Sequence, residues 1–358
     1  MGKAFWESQP SMVLLIGEQR PLEETVMFNF HMDTVEGSFP VSYEHETFVG
    51  RGAVDMKGSG VALLAGIQSA LAEEPDLLDD LSILIQCVSG EEGGAMGVYG
   101  TKPLIEQGWL GRLNIFAEPS GGYYFDQSTT SMTARIEVNG RDSTDDAPHN
   151  GHNATLLLGF LAQYLVDELS QRIEDDHGKM CLAGLYTGQM HNKVFGSGQC
   201  HINFAYSSTE SGERIRCWVE EVFSTALHSF TAKYASIGIA ALTAQEANKI
   251  CKLTWVKQGL PVLQNRHAEL EQFLYQLGMV RNPDELQEQA FTCDAMWAQR
   301  RDVYSIVYGP GSLADHLAHA DGEYVHLSDL EQYAGSICTL LQAYASVLRN
   351  KRVKELNR

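Results

Sequence analysis

Three short apolar runs each end in a loop with acidic or histidine side chains, and this recurrence limits the possible folds more than any other feature of the sequence. The runs at 26–31, 82–88 and 113–117 read as buried strands, and helical patterns near 58–73 and 96–107 separate them. Such alternation is typical of a mostly parallel sheet with helices packed against it. Because the carboxyl ends of parallel strands lie at one edge of a sheet, we expect the three polar loops to meet there.

The first of these loops places His31 and Asp33 directly after a strand. Since the two residues are two positions apart, their side chains point the same way in an extended segment, and the carboxylate is able to orient a metal-binding imidazole. Asp55 follows a glycine-rich turn and precedes a helical pattern, so its carboxylate is exposed to the site and free to coordinate. Taken singly, each of these residues is more often structural or solvated than a metal ligand.

The other polar loops leave more than one interpretation open. Glu91 and Glu92 close an apolar strand, where they form either a solvated pair or part of a site. Glu118 precedes a proline and is compatible with an ordinary turn residue. Near the C-terminus His316 and His319 are both candidates for the last histidine of the site, and both are also compatible with surface positions of a loop.

Composition excludes several classes of partner. The formal charge of the 358-residue chain is −20, which argues against nucleic acid and against anionic membrane surfaces. The seven cysteines are scattered and contain no C-x-x-C pair, so neither a disulfide framework nor a thiolate zinc site is predicted. The start of the sequence has no apolar signal region, and no stretch reaches the length of a membrane-spanning helix. We therefore expect a cytoplasmic protein.

From about Thr129 the pattern changes to alternating strands with two helices, which indicates an α+β sandwich inserted into the first domain. We predict that 1–127 and 257–358 form one domain and that 128–256 form the insert. The alternative, one continuous large domain, fits the change of pattern less well. The predicted elements are helices at 154–169 and 211–228 and strands at 181–187, 199–206 and 234–242 in the insert, and a strand at 303–308 and a helix at 328–348 beyond it.

Taken together, the motifs resemble those of the metallopeptidase and deacylase family that includes acetylornithine deacetylase, succinyl-diaminopimelate desuccinylase, aminoacylase and glutamate carboxypeptidase. Their order and spacing make the match specific, although each motif alone is weak. The resemblance implies an α/β catalytic domain of the zinc-exopeptidase type, with the inserted domain as lid and dimerisation domain. The motifs that carry it are His31-x-Asp33, Gly50-Arg51-Gly52 to Asp55-Met56-Lys57-Gly58, Glu91-Glu92, Glu118-Pro119-Ser120, Gly309-Pro310-Gly311 and His319 to Glu323-Tyr324.

The resemblance also assigns roles to single residues. It implies a dinuclear zinc centre, with cobalt or manganese as alternative metals, in which Glu91 is the general base and Asp33 orients a histidine ligand. Nitrogen and oxygen donors of these types suit zinc, and two such ions can share and acidify one water. The implied ligands are His31, Asp55 and Glu118 for one ion, and Asp55, Glu92 and His319 for the other, with Asp55 bridging.

The recognition residues depart from the family pattern. Thr144 stands where relatives carry a histidine that stabilises the oxyanion, and His149 or His152 is either a substitute or an ordinary loop residue. Asn192 resembles the family's substrate-contacting asparagine, although Phe195 replaces a following proline and the arginine expected near 203–206 is absent. Substrate contacts are also predicted for Gly309 and for Asp294, the latter being equally compatible with a strand-end residue. The segment from Gly311 to His319 is about two residues longer than in familiar members.

Our leading hypothesis is a zinc-dependent amide hydrolase that removes an N-acyl group from an amino acid, most similar to acetylornithine deacetylase. Its substrate is a small N-acyl amino acid or peptide, and the resemblance implies a homodimer formed through the inserted domain. A dipeptidase or carboxypeptidase of the same family is the first alternative. The second is a catalytically impaired metal-binding homologue, suggested by Thr144 and the missing arginine.

Overall fold

The computed structural model describes residues 7–92, 96–283 and 290–356, and the chain divides into two compact units. One unit consists of 1–128 together with 263–358, and the other is Thr129–Val262. The second boundary falls after Val262 rather than after Val256, because the strand at Cys251–Lys257 pairs within the second unit. In the described ranges, no helix combines the length and the apolar character needed to cross a membrane.

The first unit is built on a mostly parallel sheet, which confirms the predicted fold class. Its strands are buried runs apart from the first, Met12–Ile16, which is partly exposed at the edge of the sheet, and the central strand at Thr25–His31 is buried along its whole length. The first strand pairs antiparallel and the other neighbours pair parallel. In the described residues the strand order is β1 (Met12–Ile16), β5 (Ser82–Val88), β2 (Thr25–His31), β6 (Leu113–Phe116) and β13 (Tyr304–Val307).

Helices cover this sheet through apolar side chains that form a continuous core with residues such as Phe28, Ile83 and Ile115. The predicted helix at 96–107 is shorter than expected, because residues 97–100 form turns and Gly100 lies against the Ser89 carbonyl. The helices are α1 (Gly58–Glu73), α2 (Thr101–Glu106), α6 (Ala268–Gln276) and α7 (Leu327–Leu356), with short 3-10 turns at Leu22–Glu24, Leu77–Asp79 and Asp294–Ala298.

A small antiparallel sheet, which the sequence did not predict, connects two distant segments of the first unit. It contains β3 (Ser42–Glu44), β4 (Thr47–Val49) and β14 (Tyr324–His326), with β4 in the middle. Gly50 N donates to the carbonyl of Glu323 at 2.9 Å just beyond this pairing. The sheet therefore holds the segment before Asp55 beside the segment after His319.

The second unit is an antiparallel sheet with helices packed on one face. Alternate residues of β7 and β11 are buried against the helices, whereas their neighbours are only partly buried. Within the described residues the sheet order is β12 (Cys251–Lys257), β7 (Thr130–Asn139), β11 (Ser197–Tyr206) and β9 (Lys179–Tyr186), with a two-stranded pair of β8 (Ser143–Thr144) and β10 (Lys193–Val194) and the helices α3 (Ala154–Asp175), α4 (Thr209–Tyr234) and α5 (Ala241–Ile250).

One predicted element of the second unit is wrong. The apolar stretch at 234–242, predicted as a strand, is the end of α4, a turn and the start of α5. Short apolar runs do not distinguish strand from helix by periodicity, and here the Ile237 carbonyl accepts from both Ala240 N and Ala241 N at 2.8 Å. The edge strand is β12 instead. The predicted N-cap at Asn153 is confirmed, since its side chain accepts from Leu156 N at 2.9 Å.

The two segments of the first unit meet where the second unit begins and ends. Ser128 N donates to the Leu263 carbonyl at 2.9 Å, and Leu263 N donates to Ser128 Oγ at 3.1 Å. Both residues are buried. The chain therefore leaves the first unit and returns to it at one hydrogen-bonded point.

Candidate metal centre

The predicted ligands of the first unit lie together at the carboxyl edge of the parallel sheet. His31 is the last residue of β2, and Glu118 lies two residues beyond the end of β6. Glu92 lies in the loop that follows β5. Asp55 sits in the turn Ala53–Lys57 that leads into α1, next to a cis peptide bond between Asp55 and Met56. His319 belongs to the loop that precedes β14.

Two groups of candidate metal ligands share Asp55. His31 Nε2 lies 3.0 Å from Asp55 Oδ1 and 3.8 Å from Glu118 Oε1. His319 Nε2 lies 2.9 Å from Asp55 Oδ2 and 2.9 Å from Glu92 Oε1. Each carboxylate oxygen of Asp55 therefore faces a different imidazole. The donor atoms of each group lie within 4.8 Å of one another, close enough to surround one ion.

The electrostatics of the site fit a cation. Burial, together with the charge of the neighbouring Asp55, raises the pKa of Glu118 to about 8. Burial lowers the pKa of His31, but hydrogen bonding to Asp55 and the charges of Glu118 and Glu91 outweigh this, so the net shift is well upward. Hydrogen bonds to Asp55 and Glu92 raise the pKa of His319 to about 10. Protons on the imidazoles thus supply the positive charge between the carboxylates, in positions where a divalent cation would replace them.

The chemistry of the donors also fits the metal. Imidazole nitrogen and carboxylate oxygen are ligands that zinc accepts, and cobalt and manganese accept them as well. His31 is buried and its Nδ1 donates to the backbone carbonyl of Asp33 at 2.9 Å, which leaves Nε2 directed at the donor group. The residues present therefore suit two divalent ions.

Glu91 lies at the edge of this cluster. Burial raises the pKa of its carboxyl well above the usual range, and the charges of Glu118 and Asp294 raise it further. One oxygen of Glu91 also lies within 4.8 Å of donor atoms of His31 and Glu92. A carboxyl group with a raised pKa beside a metal site has the property that a general base needs near neutral pH.

Asp33 contacts His31 through its backbone carbonyl rather than through its carboxylate. Its carboxylate is 3.8 Å from His31 Nδ1, whereas its backbone carbonyl is the close partner of that nitrogen. Strand β2 ends at His31, so the extended geometry assumed for the two side chains does not continue to Asp33. The Asp33 carboxylate instead accepts from the backbone nitrogens of Glu91 at 3.4 Å and Glu92 at 3.0 Å. Asp33 therefore fixes both the histidine and the loop that carries the two glutamates.

Glu323 is a supporting residue that sequence reasoning treated only as a spacing marker. Its side chain is buried, accepts from Val54 N and Asp55 N at 3.2 Å, and pairs with Arg51 at 3.0 Å. It therefore fixes the backbone of the turn that carries Asp55. A single acidic residue 268 positions away gives no local signal of this contact.

Replacing Glu323 with Ala is expected to lower the free energy of unfolding by about 3–5 kcal/mol, because it leaves the Arg51 guanidinium without its buried partner. The side chain of Arg51 is only 10% exposed. Urea unfolding of the metal-free protein measures the effect. Asp321→Ala is the matched control, since Asp321 pairs with the same arginine at 3.9 Å but is 96% exposed, and we expect a loss below about 1 kcal/mol. Equal losses in the two variants would contradict this account.

Asp294 lies beneath the glutamate loop. It is 2% exposed, and Thr101 donates a short hydrogen bond to its Oδ2. A side chain at Gly97, where φ is +62°, would collide with Asp294, since an added Cβ would lie 2.0 Å from its Oδ1. Thr101 in turn accepts from Asn29 on β2 at 3.1 Å. The structure places Asp294 as a buried support of the loop, and the predicted contact with substrate stays a prediction.

Asp294 gives the metal-free protein a pH dependence of stability. Burial raises its pKa to about 7, although the Thr101 hydrogen bond opposes the shift. Between about pH 4 and pH 7 the folded state keeps a proton that the unfolded state has released, so stability falls as the pH rises through this window. At about 1.4 kcal/mol per pKa unit, the effect is on the order of a few kcal/mol.

Asp294→Asn is expected to flatten this fall in stability, because the amide oxygen still accepts from Thr101 but has no proton to lose. Urea midpoints of the EDTA-treated protein at pH 4.5 and pH 7 measure the change. Asp145→Asn removes the same charge from an exposed position of the second unit and serves as control. An unchanged slope in Asp294→Asn would show that other groups cause the pH dependence.

Gly309 lies against the backbone of the candidate ligand Glu118. An added Cβ would lie 2.3 Å from the carbonyl oxygen of Ala117 and 2.5 Å from that of Glu118, so only glycine fits. Gly309 N donates to Ser120 Oγ at 3.1 Å. The loop after β13 is therefore packed directly on the segment that carries Glu118. Its predicted contact with substrate stays a prediction.

Of the two candidate histidines, the structure brings His319 into the cluster. His316 instead makes contacts with Ser312 and Asp329. In the second unit, Thr144 is exposed and pairs with Lys193 between β8 and β10, and Asn192 is exposed in a bend.

His149 and His152 were the suggested substitutes for the missing oxyanion histidine, and neither has a local feature that singles it out for that role. His152 is buried, where its Nδ1 accepts from Arg141 N at 2.7 Å and its Nε2 lies 3.0 Å from Glu246 Oε2. Both nitrogens thus have partners within the second unit. His149 lies in a 3-10 turn at Pro148–Asn150 and is exposed.

Comparison with known proteins gives a consistent result. The family model for peptidase family M20/M25/M40 matches residues 27–343. The succinyl-diaminopimelate desuccinylase of Halorhodospira halophila is 30% identical over 227 residues, covering 58% of this chain and 58% of that protein. The desuccinylase of Rickettsia rickettsii is 24% identical over 244 residues, covering 62% of each. The matches span 58% and 62% of these two curated relatives, less than two thirds of their length.

Solved structures share the fold at low sequence identity. The aminopeptidase PepT of Bacillus cereus superposes with a TM-score of 0.68 at 15% identity, covering 94% of this chain and 84% of that one. A metallo-carboxypeptidase of Sulfolobus solfataricus superposes with a TM-score of 0.64 at 13% identity, covering 94% and 88%. At such identities the likeness shows the fold alone.

Proposed function

The chain belongs to peptidase family M20/M25/M40, and from this premise we propose that it is a dinuclear zinc hydrolase that cleaves amide bonds. We propose further that it removes an N-acyl group from an amino acid, in the manner of acetylornithine deacetylase. The observation that carries the proposal is the position of Asp55, whose two carboxylate oxygens face His31 and His319 at 3.0 and 2.9 Å. The names of the desuccinylase relatives, which denote removal of an acyl group, support the choice of a deacylase.

In this proposal, each residue of the first unit has a defined task. His31, Asp55 and Glu118 hold one ion, and Asp55, Glu92 and His319 hold the other. When bound, a pair of zinc ions would polarise the scissile carbonyl and lower the pKa of a water between them. Asp33 keeps His31 in the tautomer that presents Nε2 to the site, and Glu323 keeps Asp55 in place.

Glu91 moves the proton. Its carboxylate accepts a proton from the attacking water and passes it to the amine that leaves, so the hydrolysis consumes one water and produces a carboxylic acid and an amine. The two hydrogen bonds to the Asp33 carboxylate from the backbone of Glu91 and Glu92 hold the base in a fixed position. Fixed placement of the proton acceptor is needed because proton transfer requires hydrogen-bond distance.

Two rival functions are distinguishable. A dipeptidase or carboxypeptidase would use the same metal chemistry on a peptide bond, and the folds of the superposed peptidases are compatible with it. A catalytically impaired homologue is suggested by Thr144, since loss of an oxyanion donor costs roughly 10²–10³ in turnover. The presence of Glu91 beside the donor groups favours an enzyme, because a protein that only binds metal has no use for a base.

A substrate panel tests the proposal. Zinc-loaded protein is incubated with N-acetyl and N-succinyl amino acids and with dipeptides, and release of free amine is measured with and without EDTA. We expect EDTA-sensitive release from N-acyl amino acids and weaker release from dipeptides. The reverse order would establish a peptidase. Full metal loading without turnover of any panel member would instead support the impaired homologue.

We also propose a homodimer formed through the second unit. In the described sheet β9 is an edge strand, and it exposes Leu182, Leu185 and Tyr186 at 45%, 38% and 57%. Unpaired edge strands with exposed apolar side chains are surfaces for strand pairing. Sedimentation should show a dimer that Leu185→Lys dissociates and that Val166→Lys, on the exposed side of α3, leaves intact. A monomeric wild-type protein would refute the assembly.

A further inference from the structure

His319 is presented by a loop rather than by a strand or helix. The loop runs from Ser312 to Glu323, and the side chain of His319 is 53% exposed. Two of its non-glycine residues, Leu317 and His319, have positive φ of 55° and 65°, a conformation that costs such residues free energy. Because about half of the His319 side chain is exposed, its position depends on the backbone of the loop as well as on its contacts with Asp55 and Glu92.

His316 makes the contacts that close this loop. Its Nε2 donates to Asp329 Oδ2 on α7 at 3.2 Å. Its Nδ1 lies 3.1 Å from both the nitrogen and the carbonyl oxygen of Ser312, where the loop begins. The side chain thus ties the first residue of the loop to the terminal helix.

The same residue also holds the far end of the loop. Tyr324 N donates to the His316 carbonyl at 3.2 Å, and Tyr324 Oη donates to the Asp315 carbonyl at 3.0 Å. The rings of His316 and Tyr324 lie with centroids 5.0 Å apart. The His316 side chain is only 13% exposed, whereas its partner Asp329 is 32% exposed and the Tyr324–Asp315 hydrogen bond lies at the surface. The imidazole of His316 therefore joins the entry of the loop to α7 and packs on Tyr324 at the exit, where the backbone carbonyl of His316 makes the hydrogen bond.

We propose that His316 is a positioning residue that holds His319 in the conformation needed to bind the second ion. The inference rests on the proposed dinuclear centre and concerns only the ion that Asp55, Glu92 and His319 would hold. The ion held by His31, Asp55 and Glu118 draws no donor from this loop. Outer partners that orient a ligand typically contribute 10–100-fold to metal affinity, and the effect here is directed at one ion of two.

Zinc titration against a chromogenic chelator, with metal content after dialysis, tests this in the full-length protein. We expect His316→Ala to lower the affinity for one of the two zinc ions by about 10–100-fold. The affinity for the other ion should stay within about 2-fold of the wild-type value. His316→Asn should restore part of the zinc affinity, because its side-chain oxygen is able to accept from Ser312 N. If the His316→Ala variant does not fold, His316→Asn takes its place in the titration. His326→Ala is the matched control, because the His326 ring lies 5.7 Å from that of His316 but outside the loop, bonded to Thr47.

A double-mutant cycle separates positioning from a general loss of structure. If His316 acts through His319, the double variant His316→Ala/His319→Ala binds zinc no more weakly than His319→Ala alone. Three outcomes would overturn the inference while leaving the dinuclear centre intact. They are additive losses of zinc affinity in the double variant, an equal loss of affinity for both ions, or the same loss of affinity in His326→Ala. A wild-type protein that binds fewer than two zinc ions would refute the dinuclear centre itself, and the inference with it.

Discussion

Glu91→Gln is expected to lower kcat by about 10²–10⁴-fold while both zinc ions remain bound. The amide keeps the size of the carboxylate and the backbone hydrogen bonds to Asp33, but it cannot accept a proton from water. The raised pKa of Glu91, caused by burial and by Glu118, makes this carboxyl well suited to take up and release a proton near neutral pH. The loss should therefore fall on the chemical step and leave KM nearly unchanged.

The measurement pairs steady-state kinetics on the best substrate of the panel with metal content. Glu106→Gln, on the exposed face of α2, is the matched control and should retain full activity. If Glu91→Gln keeps activity within about 3-fold, another group is the base. If it loses a zinc ion as well as activity, Glu91 acts as a ligand, as its proximity to His31 and Glu92 allows.

Asp55→Ala is expected to abolish the binding of both ions and to reduce turnover to background. This residue alone belongs to both predicted ligand sets, so its removal leaves each with a single carboxylate and a single imidazole. The change also removes the hydrogen-bond partner of His31 and His319, at 3.0 and 2.9 Å. Zinc should no longer raise the Tm of the variant, since a ligand stabilises a protein only by binding its folded state.

Metal analysis after dialysis and thermal unfolding with and without zinc measure these effects. Glu36→Ala is the control, because Glu36 is an exposed carboxylate in the loop after Asp33 and lies outside the donor groups. It should bind two zinc ions and show the zinc-dependent rise of Tm. If Asp55→Ala retains one ion at wild-type affinity, Asp55 serves one site only and the bridging role is refuted.

The parallel sheet was predictable because buried parallel strands are continuous apolar runs. The runs before His31, Glu91 and Glu118 are of this kind, and the rule that strand ends share one edge brings their loops together. Asp55 and His319 lie outside that rule, because one sits in a turn before a helix and the other in a long loop. Their assignment depended on the family resemblance.

The supporting contacts were not predictable, because they involve backbone groups and distant partners. The Asp33 carbonyl replaces its carboxylate as partner of His31, since the strand ends one residue too early for the side chains to stay aligned. Glu323 reaches the turn of Asp55 through a small sheet whose strands are only three residues long. Such short strands have no periodicity to recognise. The strand predicted at 234–242 failed for the related reason that an apolar run fits a helix end equally well.

The hydrogen bonds between Ser128 and Leu263 place the two ends of the inserted unit next to each other. Because the insertion begins and ends at adjacent backbone positions, excising residues 129–262 and joining the ends with a short glycine-rich bridge should close the first unit with little loss of chain entropy. The shortened chain keeps every predicted ligand. Its zinc content would show whether the first unit binds metal without the second.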